Sequence, residues 1–257
     1  SVGLLRAAHA LLNDPVFAGR FSTVPKLVYF HYNHRIRPDS DSDKEFVRLL
    51  AAEIQVAGWI IGAPLKEMHA LEGGNLEALL RRERYQALLD FVNRLKESPE
   101  GHGPIQAATA HHLGDQAETI LHHIVRGTHL SGLTGISSIR DECIHRPWLA
   151  LPPEEIRKYL AALGQGFRED ASNADVTFTR NRIRHLVLPE LLTINPRARE
   201  HIARLAGTAQ FVDAELERSW SKREVETFTS NDLQRWLPLI GWQRADYHLH
   251  RCEDGRF

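Results

Sequence analysis

Between Ala110 and Gly135 the chain reads AHHLGDQAETILHHIVRGTHLSGLTG. At helical spacings of three and four, His111, Asp115, Glu118 and His122 share one stripe. Ala117, Leu121, Ile124 and Val125 form the adjoining apolar face. Two carboxylates thus project from the first two turns of one helix. Acidic side chains there suit the helix dipole. They also suit holding a cation or assisting a proton transfer. Spacing alone does not separate these two uses. A metal site from His111, His112 and Asp115 is a further reading, but a zinc site of the H-E-x-x-H kind is absent.

The surrounding pattern positions this helix. Lys26 to Tyr32 (KLVYFHY) reads as a buried strand, Gly58 to Gly62 (GWIIG) as a second, and Pro104 to Ala110 (PIQAATA) as a third. Helical patterns lie at Val2 to Leu12, Asp43 to Val56, Asn75 to Leu95 and Gly114 to Val125. Ser42 with Glu45 three residues on predicts a capping box for the second of these. Strands alternating with helices predict an α/β fold, a Rossmann-like parallel sheet with helices on both faces. In such sheets ligands bind where strands end and helices begin, which is where His111 and His112 stand. Beyond Arg126 glycines punctuate a loop, and Glu154 to Leu163 predicts a short helix. Ile202, Leu205, Ala209, Val212 and Leu216 predict one side of a long helix from Pro196 to about Trp220. The reading divides the chain into a sheet domain, 1–192, and a helical element, 193–257.

Composition sets outer bounds. Hydrophobic residues are 42% and charged residues 25% of 257, ordinary for a globular chain. The formal charge of -1 gives no overall basic signature of a nucleic-acid binder. Basic residues do cluster locally, as Arg81, Arg82 and Arg84, and as Arg180, Arg182, Arg184 and His185. Cys143 and Cys252 are far apart and form no C-x-x-C pair, which argues against a disulfide framework or a cluster site. No apolar run approaches the roughly 18 residues of a membrane span, and a cytoplasmic location is expected.

HHLGDQAET followed by RGTHLSGLTGI is similar to the signature of tRNA(Ile)-lysidine synthetases, approximately HHxxDQxETxLxxxxRGxGLxGLxGM. Gly114 departs from it where the family often has Asp, and His129 where it often has Gly. His31-Tyr32-Asn33-His34 with Arg37, Pro38, Ser40 and Asp43 resembles a second family segment. Asn75-Leu76-Glu77 with Arg81, Arg84 and Tyr85 resembles a third. Arg168-Glu169-Asp170, Asn173 and Arg180-Asn181-x-Ile183-Arg184-His185 resembles a fourth. The motifs follow the family's order from Ser1 to roughly Leu205.

The resemblance implies an adenine nucleotide alpha hydrolase-like fold and a carbon–nitrogen ligase. The wobble cytidine of tRNA(Ile) with a CAU anticodon attacks the ATP α-phosphate, and L-lysine then displaces AMP. It implies ATP, Mg²⁺ and L-lysine as ligands and allows a homodimer. The implied phosphate set is Ser1, Arg81, Arg84, His111, His112, Arg126 and Arg180. Asp115 and Glu118 are implied to bind lysine and assist its attack; Arg182, Arg184 and His185 to meet the tRNA. For His111 and His112 a purely structural role stays open. The family's S-G-G-x-D-S phosphate loop is expected to precede Ser1, and with it the Mg²⁺ ligand. Rival readings are a tRNA-thiolating or amidating relative, a non-catalytic tRNA- or nucleotide-binding remnant, and a metal-dependent hydrolase.

Overall fold

A computed structural model describes residues 1–35, 40–62, 76–98, 103–168 and 175–222, without the side chains of 76–78, 217 and 219–222. The expectations for Arg37, Pro38, Asn75, Glu169, Asp170 and Asn173 lie outside these residues, as do the side chains of Leu76 and Glu77. The chain forms two compact units. One comprises Ser1–Ala110, Ile139–His145 and Arg157–Arg168; the other His111–Ser138, Arg146–Ile156 and Glu169–Phe257. Among the described residues no helix is long and apolar enough to cross a membrane.

The first unit opens with α1 (Val2–Asn13) and the single turn α2 (Pro15–Ala18). Asp14 caps α2, accepting the Phe17 N–H at 2.9 Å ahead of a proline that needs no donor partner. Strand β1 (Val28–Asn33), helix α3 (Ser40–Glu53) and strand β2 (Ala57–Gly62) make a parallel crossover. The register runs from Val28 opposite Ala57 to Asn33 opposite Gly62. Ser42 does not cap α3. The helix is already formed at Ser40, and Glu45 meets Arg48 at 2.6 Å instead of closing a box. Asp41 and Asp43 in its first turn supply the dipole-favouring charge.

Helix α4 (Leu76–Glu97) packs through Phe91, whose ring stacks on Phe30 and meets Trp59 edge-on. Its Tyr85 and Val92 close a core with Cys143 and Ile144, flanked by Leu88, Leu89, Ile105 and Ala107. The third strand is shorter than the sequence predicts. Strand β3 is only Ala107–Ala108, because its parallel partner β5 (Ile144–His145) offers just two residues. Strand β4 (Ile139–Arg140) pairs antiparallel with β5 and was not legible at all.

The β4–β5 turn places Asp141 and Glu142 at φ 50° and 57°, with the Cys143 N–H on the Arg140 carbonyl. Two consecutive left-handed residues fit the tight hairpin turn that prefers Asn-Gly. Replacing Asp141-Glu142 by Asn-Gly relieves the side-chain clash of that conformation. The expected gain is about 1 kcal/mol, a rise in melting temperature of about 2–4 °C. An unchanged or lower melting temperature in a thermal scan contradicts the assignment of strain here.

The second unit is helical. Helix α5 (Leu113–Val125) buries Leu113, Gln116, Ala117, Glu118 and Ile120. The turn α6 (Leu130–Leu133) follows, in the stretch read from sequence as loop. In chain order come α7 (Pro153–Ala162), which belongs to the first unit from Arg157 on, α8 (Thr179–Arg182), a π-helical turn Ile183–Val187, α9 (Leu188–Ile194) and α10 (Ala198–Lys222). Ala117, Ile183 and Leu188 form the core, with Leu121 and Ile202 against it. Helix α10 lies along α5 and α6. Its inner face runs through Ile202, Ala206 and Ala209, whereas Leu205 and Val212, expected on that side, are exposed. Ile124 and Val125 are exposed too, so the apolar face of α5 ends at Leu121.

Candidate active site

The site is built on the first two turns of α5. His112 precedes the helix with extended backbone, φ -127° and ψ 179°. Its Nδ1 accepts the Asp115 N–H at 3.3 Å, and Asp115 Oδ2 accepts the His112 N–H at 2.9 Å. This is a reciprocal capping box with a histidine as the cap. Accepting at Nδ1 puts the proton of the neutral ring on Nε2, which leaves Nε2–H as a donor. A Cβ on Gly114 would lie 2.9 Å from His112 Cε1 and 3.0 Å from Nδ1. The ring therefore occupies the space of the side chain that the family pattern carries at this position.

Asp115 and Glu118 face two arginines from the 179–187 segment. Arg184 makes a fork on Glu118, Nε and Nη2 each 2.7 Å from an oxygen. Arg180 reaches both carboxylates, with Nε 3.2 Å from Glu118 and Nη2 3.4 Å from Asp115. Arg184 Nη2 stands 3.6 Å from Asp115. Arg180 and Arg184 lie four residues apart, and Ile183 between them is anchored in the core. Asn181 fixes the entry to the segment, donating to the Asp175 carbonyl at 2.8 Å. The π-helical turn beginning at Ile183 is an uncommon form that recurs at functional sites.

The two carboxylates differ in access. The Glu118 side chain is 3% exposed and that of Asp115 15%. Burial raises the Asp115 carboxyl, but the His112 ring, the His112 backbone N–H and Arg180 outweigh it and hold the group below its usual value. For His112 burial lowers the imidazole pKa and outweighs the pull of Asp115 and Glu118. The ring is then neutral at pH 7. Its folded-state pKa lies below the unfolded value, so the unfolded chain takes the proton first. Stability is expected to fall as pH drops below about 6.5. Asp115 adds a second loss as pH falls through its own depressed pKa. His31, also lowered by burial, contributes in the same direction as His112. Urea melts between pH 7.5 and 5 test this. His112→Asn, a good cap that does not titrate, is expected to flatten the slope, and an unchanged slope excludes His112 as a source.

The other sequence-assigned residues are not all drawn into this cluster. Arg182 and His185 are exposed beside it in sequence. Arg126 caps the far end of α5, about 20 Å along the axis from its start. Ser1, at the start of α1, and Arg81 and Arg84, on α4, belong to the other unit. Arg81 and Arg84 stand 5.3 and 5.8 Å from the Tyr85 ring centre, and Arg140, which sequence reading missed, 4.2 Å. Gln116 was missed as well. Its amide accepts the Ile136 N–H at 2.6 Å and donates to the Ile136 carbonyl at 3.3 Å, tying the glycine-rich segment to α5. Among the described residues no group of three or more His, Cys, Asp or Glu side chains gathers to hold a metal ion. The cluster carboxylates face guanidinium groups, so these residues do not fit a Mg²⁺ site.

Residues 1–191 match the model of the PP-loop domain. The chain belongs to the PP-loop domain family. Two similar relatives are named tRNA(Ile)-lysidine synthase. That of Deinococcus deserti is 37% identical over 84% of this chain, and that of Rhodopirellula baltica 38% identical over 83%. The chain spans only 36% and 53% of their respective lengths. Among solved structures, the U34-tRNA thiolase NcsA from Methanococcus maripaludis, determined with its [4Fe-4S] cluster, is similar in fold. It gives a TM-score of 0.55 at 14% identity, over 78% of this chain and 67% of that one. The mixed α/β arrangement with parallel strand pairing agrees with this PP-loop likeness.

Proposed function

We propose that this PP-loop chain belongs to an ATP-dependent ligase that joins L-lysine to the wobble cytidine of tRNA(Ile) with a CAU anticodon. Residues 1–192 are assigned to the catalytic domain and 193–257 to the start of a tRNA-binding region. The observation that carries the reading is similarity to lysidine synthases over more than four-fifths of the chain. The cluster on α5 lies within the matched region.

The first step needs charge neutralisation at the phosphates and a positioned nucleophile. Mg²⁺ bound with ATP would supply part of that charge neutralisation. In this reading the α5 cluster supplies phosphate contacts from within its own unit, His112 donating through Nε2–H, with His111 and Arg180 as the other proposed contacts. The cytidine C2 oxygen bonds to the α-phosphorus and pyrophosphate leaves. The second step needs a neutral amine, although free lysine carries its ε-ammonium proton up to a pKa of about 10.4. Asp115 and Glu118 are the proposed carboxylates. We assign Asp115, the more exposed and more loosely paired, to orient the ammonium and accept its proton as the reaction proceeds. Glu118 holds Arg180 and Arg184. The amine bonds to C2 and AMP departs with the C2 oxygen. Arg182, Arg184 and His185 are the proposed contacts to RNA phosphates; Arg182 and His185 are exposed, and Arg184 also bonds Glu118.

The two steps separate in one experiment. With α-labelled ATP and no lysine, the wobble-cytidine tRNA is expected to acquire the AMP label, and added lysine to discharge it. Label that stays on the RNA after lysine is added rules out lysine as the acceptor.

A further inference from the structure

Arg35 follows strand β1 with φ 54°, a conformation that a long side chain seldom adopts. Asn33 holds it there. The Asn33 amide is buried, accepts the Arg35 N–H at 2.9 Å and donates to Asp41 at 3.2 Å. Asn33 stands in register with Gly62, the last residue of β2. A Cβ built on Gly62 would lie 2.5 Å from Arg35 Nε, 2.6 Å from Cζ and 2.6 Å from Nη2. Three atoms of one plane at equal distance from one point mean that the guanidinium lies face-on over the glycine. Arg35 is exposed. Nearby acids are already engaged, Asp41 by Asn33 and Asp43 by Arg168 at 2.5 Å. Among the described residues no carboxylate forms an ion pair with Arg35.

An exposed guanidinium held flat against a glycine can offer two parallel hydrogen bonds to an oxyanion. It stands at the carboxyl ends of parallel strands, where open α/β sheets take their ligands. We propose that Arg35, levelled by Gly62, is a phosphate-binding residue for the nucleotide. This rests on the reading that the protein uses ATP.

The test is calorimetric binding of ATP, inorganic pyrophosphate and adenosine to the wild type, Arg35→Ala, Arg35→Lys and Gly62→Ala, with tRNA binding alongside. Arg35→Ala is expected to weaken ATP and pyrophosphate about 10- to 100-fold, the range of a lost charged hydrogen bond. Arg35→Lys, which keeps the charge but not the fork, falls between. Gly62→Ala reproduces the loss with Arg35 still present, and adenosine and tRNA binding stay unchanged throughout. Equal ATP binding by the wild type and both Arg35 variants overturns the proposal, as does an equal loss for adenosine. Weakened tRNA binding with intact ATP binding moves the phosphate to RNA and overturns the nucleotide assignment. These measurements use the parent protein with its phosphate loop, and a wild type that then binds no ATP rejects the parent reading and this assignment with it.

Discussion

Replacing Glu118 with alanine is expected to cost about 3 kcal/mol of stability, because it strips the counter-charge from two arginines at once. The Glu118 side chain is 3% exposed and receives three guanidinium contacts between 2.7 and 3.2 Å. Removing one partner of a buried pair costs about 3–5 kcal/mol, since the partner left behind stays desolvated and uncompensated. The lower end applies because Arg180 and Arg184 keep 20% and 29% of their side chains in solvent. A change of that size lowers the melting temperature by about 6–12 °C. Glu118→Gln keeps the shape and one acceptor and is expected to lose less. Removing both arginines together with Glu118, in favour of apolar side chains, is expected to recover much of the loss. A Glu118→Ala protein that melts with the wild type in a thermal scan means that the arginines re-pair, and that Glu118 does not organise the cluster.

The second large effect is on the reaction itself. Asp115→Asn is expected to slow lysine transfer about 10²–10⁴-fold, the usual range for loss of a positioned acid–base group. Adenylation of the tRNA should change only a few-fold. The amide still offers an oxygen to the His112 N–H, so the cap persists while the charge that faces the amine is gone. The readout is the split between the two steps, measured in single turnover. Equal loss in both steps makes Asp115 a structural residue of the cap. The wild-type rate should also follow Asp115 ionisation, constant near neutral pH and falling in acid, because the folded-state pKa is depressed.

Much of this was readable from residue order, and what was not has identifiable causes. The parallel β1–β2 crossover and α5 were legible because their patterns are local, one continuous apolar run and one amphipathic stripe. Asp115 and Glu118 were legible for the same reason. Their partners were not. Arg180 and Arg184 stand 62 to 66 residues on, and nothing local to RNRIRH says that they turn toward carboxylates rather than phosphates. Strand β5 escaped because two residues carry no period. The S-x-x-E signature at Ser42 misled, since α3 had already begun at Ser40 and Glu45 found Arg48 one turn on. Arg35 left no sequence signal. Its role depends on a positive φ and on a glycine 27 residues away, both visible only once Asn33 and Gly62 are paired.

The most direct measurement is ATP-dependent incorporation of labelled lysine into tRNA(Ile) transcripts that differ only at the wobble base. Lysine is expected to enter the cytidine transcript and not the uridine one, with one AMP and one pyrophosphate released per lysine. ATP cleaved to AMP and pyrophosphate without lysine entering either transcript would leave a PP-loop enzyme whose acceptor chemistry is not lysidine formation.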